Sequence, residues 1–513
     1  MDSQNLYNYT IVRQFAVMSV VWGIIGIIIG IWLAAELAFP VLNLGLPWTS
    51  FGRLRPLHTH LVLFGFAGNA LFATSYYVAQ RTCRTRLFGN SLATFTFWGW
   101  QGVLFLGLLT LPLGMTSGKE YAELEWPIDL LFIVVWCVYA MVFFGTLARR
   151  RTPYIYVANW FYGAYILAVI ILYAANNAAL PVSFWPLKSY SFYPGAVDAM
   201  VAWWYGHNLV GSFLTIAFLG ALYYFLPTRA ERPLYSYRLA AVHFWAMIML
   251  TMWSGPQHLL YTALPDWTQS LGVLFATLLF IPFSGALING FMTVGNDWYK
   301  VRTDPILRFI VVALIFYSLA SFSGPIMALR TVNTATHYTN WTVTHAHTGT
   351  LGWIGFLVIG AIYSLMPRLF NREQMYSTRL INLHFWLATC GIVLYLVSMG
   401  SAGWIESQML RALNDDGTLT YRFIDVVTEI RPFYLIRIGA GALYLLGLIL
   451  MAYNISRTLR LYFNELYSPQ PTTVTNRELP ELAEDHHDHP EHDGKNHHSS
   501  AESHHHTTDH IHH

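Results

Sequence analysis

Twelve long apolar runs constrain this chain more than any other feature of its sequence. A helix that crosses a bilayer needs about 20 consecutive, mostly apolar residues. Only 11% of the residues are charged, against about 25% in soluble domains. We therefore predict an all-α membrane protein with twelve transmembrane helices. The runs lie at approximately 15–39, 60–80, 93–115, 129–148, 157–178, 205–226, 240–263, 270–292, 306–328, 348–367, 382–402 and 434–455.

Basic residues cluster in every second loop. Three of them follow each of the second, fourth, sixth, eighth and tenth runs, as Arg149, Arg150 and Arg151 do. Lys and Arg accumulate in cytoplasmic loops, so we expect both termini to be cytoplasmic. The net charge of +2 gives no basis for nucleic-acid binding.

The composition changes near residue 465. Residues 1–465 hold all the apolar runs, whereas 466–513 hold twelve of the 21 His and almost no large apolar residues. Such a segment cannot bury a core, and we expect a disordered cytoplasmic tail. Its His, Asp and Glu residues indicate either weak binding of copper, zinc or nickel or a solvated polar tail.

Five His residues fall at one depth in the outer part of the predicted membrane domain. They are His60, His207, His258, His345 and His347. A single intramembrane His is normally a hydrogen-bonded core residue. Ionisable residues within a membrane are costly and indicate function, and imidazole is the commonest protein ligand for metals. The set therefore predicts metal or haem ligation.

The spacing of His345 and His347 divides this set into two sites. Residues two apart on a helix point about 200° apart, so the two rings cannot easily bind one metal. His60 and His347 would then hold a six-coordinate haem. His345 would hold a second haem with an open position, opposed by a non-haem metal on His207 and His258.

Several long motifs resemble the haem-copper oxidase superfamily, and closely its C family, subunit I of the cbb3-type cytochrome c oxidases. The resemblance extends to about residue 465. The motifs are RPLHTH (55–60), SGKEYAELEWP (117–127), WWYGHN (203–208), ERPLYSYRL (231–239), LYTALPDWTQSLG (260–272), RTDPILRF (302–309) and HYTNWTVTHAHTGTLGW (337–353).

This resemblance implies the haem-copper oxidase subunit I fold, two b-type haems and a bacterial inner-membrane location. His60 and His347 look like the axial ligands of the low-spin haem, and His345 like the ligand of the high-spin haem. His207 and His258 look like two ligands of the non-haem metal. Membrane-anchored c-type cytochrome subunits would deliver electrons, because the chain has no C-x-x-C-H motif.

The resemblance also implies a calcium-linked acidic site and haem-propionate contacts. Glu120 and Glu123 lie in the segment that resembles the acidic site. His337 and Arg437 are expected near the propionates.

Three residues depart from the family pattern, all on the side of the non-haem metal. Gln257 replaces a His ligand, Thr251 replaces a redox-active Tyr, and Ser323 replaces a Glu. An amide is a harder ligand than imidazole and favours iron over copper(I). Without the Tyr, fast four-electron cleavage of O2 should stall, whereas reduction of two NO molecules needs only two electrons. The sequence therefore favours nitric oxide reduction at the high-spin haem b and a non-haem metal, iron or copper, with Gln257 among its ligands. A Pro-kinked helix, in which Gln257 bonds a freed carbonyl, is the structural alternative.

Three other functions stay open at this point. The first is a cbb3-type oxidase that reduces O2 to water, with Tyr205 or Tyr261 replacing the missing Tyr. The second is a non-catalytic paralogue for electron transfer or assembly. The third is a transporter, which is disfavoured because the sequence shows no doubled half-chain pattern.

Overall fold

A computed structural model describes residues 7–467, except for the side chains of 210–213 and 463–467. The described chain is a bundle of α-helices with one small hairpin. The helices are α1 (Tyr9–Ala38), α2 (Phe51–His60), α3 (Asn69–Cys83), α4 (Asn90–Thr110), α5 (Trp126–Ala148), α6 (Val157–Asn176), α7 (Gly195–Asn208), α8 (Ala217–Ala230), α9 (Tyr237–Thr251), α10 (Asp266–Leu278), α11 (Phe280–Val294), α12 (Trp298–Thr303), α13 (Pro305–Ala328), α14 (Arg330–Thr336), α15 (Asn340–His347), α16 (Phe356–Leu369), α17 (Thr378–Arg411) and α18 (Phe423–Tyr467). The antiparallel hairpin pairs β1 (Ala179–Phe184) with β2 (Leu187–Ser191).

Ten helical segments of the described chain are long and apolar enough to cross a membrane. The predicted all-α membrane fold is thus confirmed, and ten of its twelve spans are recovered by length and composition. The other two predicted spans are 205–226 and 240–263. The first coincides with α7, α8 and the π-helical turn between them.

The predicted span 240–263 is interrupted. Helix α9 ends at Thr251, and a short 3₁₀ helix, Gly255–Leu259, carries Gln257 and His258. Irregular backbone at membrane depth is tolerated where protein buries it or where it lines a cavity. Gly255, Gln257 and Leu259 are buried, so this turn is enclosed by protein. The alternative of a kinked but continuous helix is wrong.

Three helices change from α to π geometry within two residues of a His. The π-helical segments are Leu61–Gly68, Leu209–Ile216 and Thr348–Gly355. They begin just after His60, His207 and His347. Because π segments are rare and concentrate at functional sites, their shared position beside these His residues indicates a functional site at this depth of the bundle.

The same pair of hydrogen bonds joins the N-cap of α9 to α11 and the N-cap of α17 to α18. Ser236 N donates to Asn289 Oδ1 at 3.0 Å, and Asn289 Nδ2 returns a bond of 2.8 Å to Ser236 O. Ser377 and Asn454 make the same two bonds at 3.0 and 2.9 Å.

A buried Tyr–His pair accompanies each pair of hydrogen bonds. Tyr223 bonds His243 Nδ1 at 2.8 Å, and Tyr363 bonds His384 Nδ1 at 2.9 Å. The same side-chain contacts thus recur in two sets of three helices, α8, α9 and α11 and α16, α17 and α18. Few side chains carry the repeat, so hydropathy alone does not reveal it.

Basic loops meet at one end of the bundle. Arg151 N donates to Cys83 O at 2.9 Å, and Arg229 pairs with Asp304 at 2.5 Å. The compact unit containing the described helices ends at Leu466. All but the first two residues of the predicted tail lie outside the described residues.

Candidate functional site

Two imidazoles and one amide converge where α7 meets the 3₁₀ helix. His207 Nδ1 lies 3.2 Å from His258 Nε2 and 3.3 Å from Gln257 Nε2. Metal–nitrogen bonds of about 2.0 Å at tetrahedral angles place neighbouring ligand atoms about 3.3 Å apart. The three side chains therefore stand at the spacing of ligands around one metal.

The surroundings of this cluster fit a metal as well. The Gln257 Oε1 atom is buried and has no hydrogen-bond partner among the described residues. Amide N and O are assigned rather than observed, so a rotated Gln257 would turn this oxygen toward His207. Trp203 stacks on His258 with ring centroids 4.4 Å apart, which fixes the imidazole plane.

Glycine allows the 3₁₀ helix to approach α10. A Cβ on Gly272 would lie 2.5 Å from Gln257 N and 2.8 Å from the Pro256 carbonyl carbon. Any larger residue would push Gln257 and His258 away from His207. Gly272 lies in the motif 260–272, but the sequence pattern alone does not reveal this role.

A second site is a cavity of about 600 Å³ between α2 and α15, and both His58 and His347 line it. Cofactor pockets commonly measure about 300–1,000 Å³. The Nδ1 atoms lie 2.8 Å from backbone carbonyls, His58 from Gly26 O and His347 from Val343 O. Since a carbonyl only accepts, each Nδ1 must donate, which leaves each Nε2 as a ligand atom. The pair therefore fits the two axial positions of one haem.

The structure does not bring together His60 and His347, which the sequence predicts to share a haem. His60 is 1% exposed and does not line the cavity. Its ring packs on α4, where a Cβ on Gly107 would overlap His60 Nε2. His58 and His60 are two residues apart and point in nearly opposite directions. The rule that separates His345 from His347 also separates His58 from His60, but it does not show which of the two faces the cavity.

His345 faces α13. Its Nδ1 atom lies 2.7 Å from Ser323 Oγ, whereas His347 packs against Tyr395 of α17 with centroids 4.5 Å apart. The two rings of α15 thus point to different neighbours.

Charged and polar side chains line the mouth of the cavity. Arg55 pairs with Glu120 at 2.5 Å, and Arg437, His337 and Glu406 line the same space. Burial lowers the pKa of His337, so its ring is neutral at neutral pH. The cavity is mostly apolar and includes the guanidinium groups of Arg55 and Arg437 in its lining, which suits a porphyrin with carboxylate substituents.

Glu406, which no sequence motif indicated, fastens α15. Its carboxylate accepts from the backbone N and the side-chain Nδ2 of Asn340, the first residue of α15. A carboxylate at a helix N-terminus satisfies free N–H groups and complements the helix dipole. This contact anchors the helix that carries His345 and His347.

The two predicted calcium ligands, Glu120 and Glu123, already take part in other polar interactions. Glu120 is already paired with Arg55. Glu123 accepts from Tyr121 N at 3.1 Å, and burial raises the pKa of Glu123 to about 8. Within residues 7–467, no group of three His, Cys, Asp or Glu side chains is arranged to hold a metal. Calcium at this position stays a prediction.

Tyr205 and Tyr261, the two candidates to replace the redox-active Tyr, both direct their hydroxyl groups to backbone carbonyls and not to the cluster of His207, His258 and Gln257. Tyr205 OH donates to Tyr121 O at 2.9 Å. Tyr261 is 57% exposed and donates to Arg330 O. The proposed substitution of the redox Tyr by either residue is therefore wrong. Thr251 itself is 3% exposed, in the core.

Comparisons with known proteins agree with this geometry. Residues 10–443 match the family model for cytochrome C and quinol oxidase polypeptide I. The chain is 58% identical over 454 residues to the cbb3-type cytochrome c oxidase subunit CcoN1 of Stutzerimonas stutzeri, covering 88% of this chain and 95% of that one. A solved haem-copper terminal oxidase dimer matches with a TM-score of 0.71 at 14% identity, over 88% of this chain and 84% of that one.

These comparisons overturn the preference for nitric oxide. A nitric oxide reductase chain of Stutzerimonas stutzeri is only 24% identical, over 84% of this chain and 90% of that one. The preference rested on the departures at Gln257, Thr251 and Ser323. Three local changes are outweighed by 58% identity over 454 residues.

Proposed function

Because this chain belongs to the haem-copper oxidase subunit I family, we propose that it is the catalytic subunit of a cbb3-type cytochrome c oxidase that reduces O2 to water. One observation carries the proposal beyond family membership. Trp203 connects the two sites, because it lines the cavity that His58 and His347 border and also stacks on His258. Helix α15 carries both His347 and His345.

The proposal divides the five His residues among three sites. His58 and His347 hold a low-spin b-type haem through Nε2, and His345 holds a high-spin haem b. His207, His258 and Gln257 hold a non-haem metal, copper or iron. When bound, these groups supply the electron transfer and the O2 chemistry.

The protein around them orients the ligands and controls the surroundings. Gly26, Val343 and Ser323 fix the tautomers of His58, His347 and His345. Trp203 fixes the plane of His258. Arg55, Arg437 and His337 present donors at the cavity mouth, where haem propionates would bind.

The electron donors are c-type cytochrome subunits anchored in the same membrane. Four-electron reduction of O2 needs a continuous supply of electrons. Basic loops favour the cytoplasmic side of a membrane, so we propose that the opposite end of the bundle, which carries Arg55 and Glu120, faces outward. A donor haem on that side would lie close to the His58–His347 cavity.

Oxygen consumption by the purified complex, with a reduced c-type cytochrome as donor, tests this function. We expect rapid, cyanide-sensitive O2 uptake, which His258→Ala abolishes while the low-spin haem spectrum persists. Haem-replete complex that consumes no O2 would contradict the proposal and would favour the non-catalytic paralogue.

A further inference from the structure

The imidazole of His345 is oriented by a hydroxyl, whereas backbone carbonyls orient the other two proposed haem ligands. Ser323 Oγ lies 2.7 Å from His345 Nδ1 and 3.0 Å from Ala320 O. A hydroxyl has one proton, and Ala320 O can only accept it. Both contacts are hydrogen bonds only when Ser323 donates to Ala320 O and accepts from His345, with the proton on His345 Nδ1.

Neighbouring residues hold the two groups together. Ser323 belongs to α13, which runs unbroken from Pro305 to Ala328. A Cβ on the following Gly324 would lie 3.5 Å from His345 Cε1, so the imidazole rests directly against this turn of α13. The hydroxyl thus has a fixed place relative to the ring.

The chemical nature of the acceptor determines how basic the ligand is. An acceptor at the far nitrogen orients a metal-bound imidazole and raises its basicity. A carboxylate does this more strongly than a neutral hydroxyl, because its charge stabilises the proton shared with Nδ1. The family pattern that the sequence resembles has a Glu at this position, so Ser323 removes that charge.

We propose that Ser323 is a positioning residue that fixes the tautomer of His345 and, as a neutral acceptor, keeps this haem ligand less basic than a carboxylate would. The inference rests on the proposed role of His345 as the ligand of the high-spin haem. A less basic ligand donates less electron density to iron. The haem then has a higher reduction potential and a weaker iron–imidazole bond.

Resonance Raman spectroscopy of the reduced complex tests the inference through the iron–imidazole stretching frequency. We expect Ser323→Ala to lower this frequency, Ser323→Asp to raise it, and Ser323→Thr to leave it close to wild type. The high-spin haem potential should shift up in the first variant and down in the second. The low-spin haem is the internal reference, since His58 and His347 depend on Gly26 and Val343.

Ser318→Ala is the matched control, because it removes a hydroxyl from the same helix without touching the Ser323–His345 contact. Identical frequencies in the Ala, Asp and wild-type complexes would overturn the inference. If the Ala variant fails to assemble, the comparison of Thr with Asp still separates a neutral from a charged acceptor. An iron–imidazole band that persists in His345→Ala would instead refute the ligand assignment on which the proposed function depends.

Discussion

Individual side chains determine which of the proposed groups, a haem or a non-haem metal, each part of the bundle can bind. His58 and His60 differ by two positions, yet one borders the cavity and the other is packed in the core. Gln257 Nε2 lies 3.3 Å from His207 Nδ1 and brings an amide to this cluster. At this scale, the proposed function depends on the direction in which each imidazole ring points and on which ring nitrogen is free to bind a metal.

His58→Ala and His60→Ala should have different spectra. We expect His58→Ala to lose the low-spin haem signal, because it removes an axial ligand from the cavity shared with His347. His60→Ala should keep this signal and lose stability on the order of 1–3 kcal/mol, because it empties a packed position. Reduced-minus-oxidised spectra and thermal unfolding distinguish the two. Loss of the low-spin haem in His60→Ala alone would refute the assignment.

Gln257 should control retention of the non-haem metal. Replacement by Ala removes one of three ligands, so we expect metal loss to a chelator to accelerate by at least ~10-fold. Replacement by His supplies a stronger ligand and should slow this loss. Metal analysis after timed dialysis measures both, with haem content as the control. Equal metal loss in all three complexes would exclude Gln257 as a ligand.

At the scale of elements, the short helix α15 carries a ligand of each proposed haem, His345 and His347. Glu406 and Gly403, both on α17, hold its first turn. A Cβ on Gly403 would overlap the backbone N of Trp341, whereas a Cβ on Gly400 would lie 3.8 Å from its nearest neighbour, Thr344. The close approach of α17 therefore sets the position of His345 and His347.

Gly403→Ala should disturb both haems together. The added methyl group must displace α15, and overpacking of this kind typically costs about 1–3 kcal/mol. We expect lower haem occupancy and a lower unfolding temperature. Gly400→Ala adds the same methyl group to the same helix with room to spare and should resemble wild type. Comparable haem loss in both variants would show that α17 is sensitive to any substitution rather than to this contact.

Sequence alone predicts much of the fold and less of the site. Hydropathy locates the spans because lipid requires long apolar helices. It misses the break after Thr251, because the backbone there is surrounded by other helices and not by lipid. The five-histidine level is predicted because ionisable groups are rare in membranes. The choice between His58 and His60 depends on the rotation of α2, and the roles of Glu406 and Gly272 depend on helices that are distant in sequence.

At the scale of the whole molecule, the fold and the family agree while the metal cluster departs from the pattern that the sequence resembles. The bundle matches the fold of a haem-copper oxidase, and the chain matches a cbb3-type subunit along 88% of its length. Neither Tyr205 nor Tyr261 supplies a phenol at the metal cluster. The remaining centres must therefore complete O2 reduction in the proposed oxidase.

The number of cytochrome c molecules oxidised per O2 consumed by the purified complex tests this requirement most directly. We expect four, with water as the product and no peroxide detectable by a peroxidase-coupled assay. A ratio of two with stoichiometric peroxide would contradict the proposed function, and would mean that this metal cluster does not complete the reduction to water.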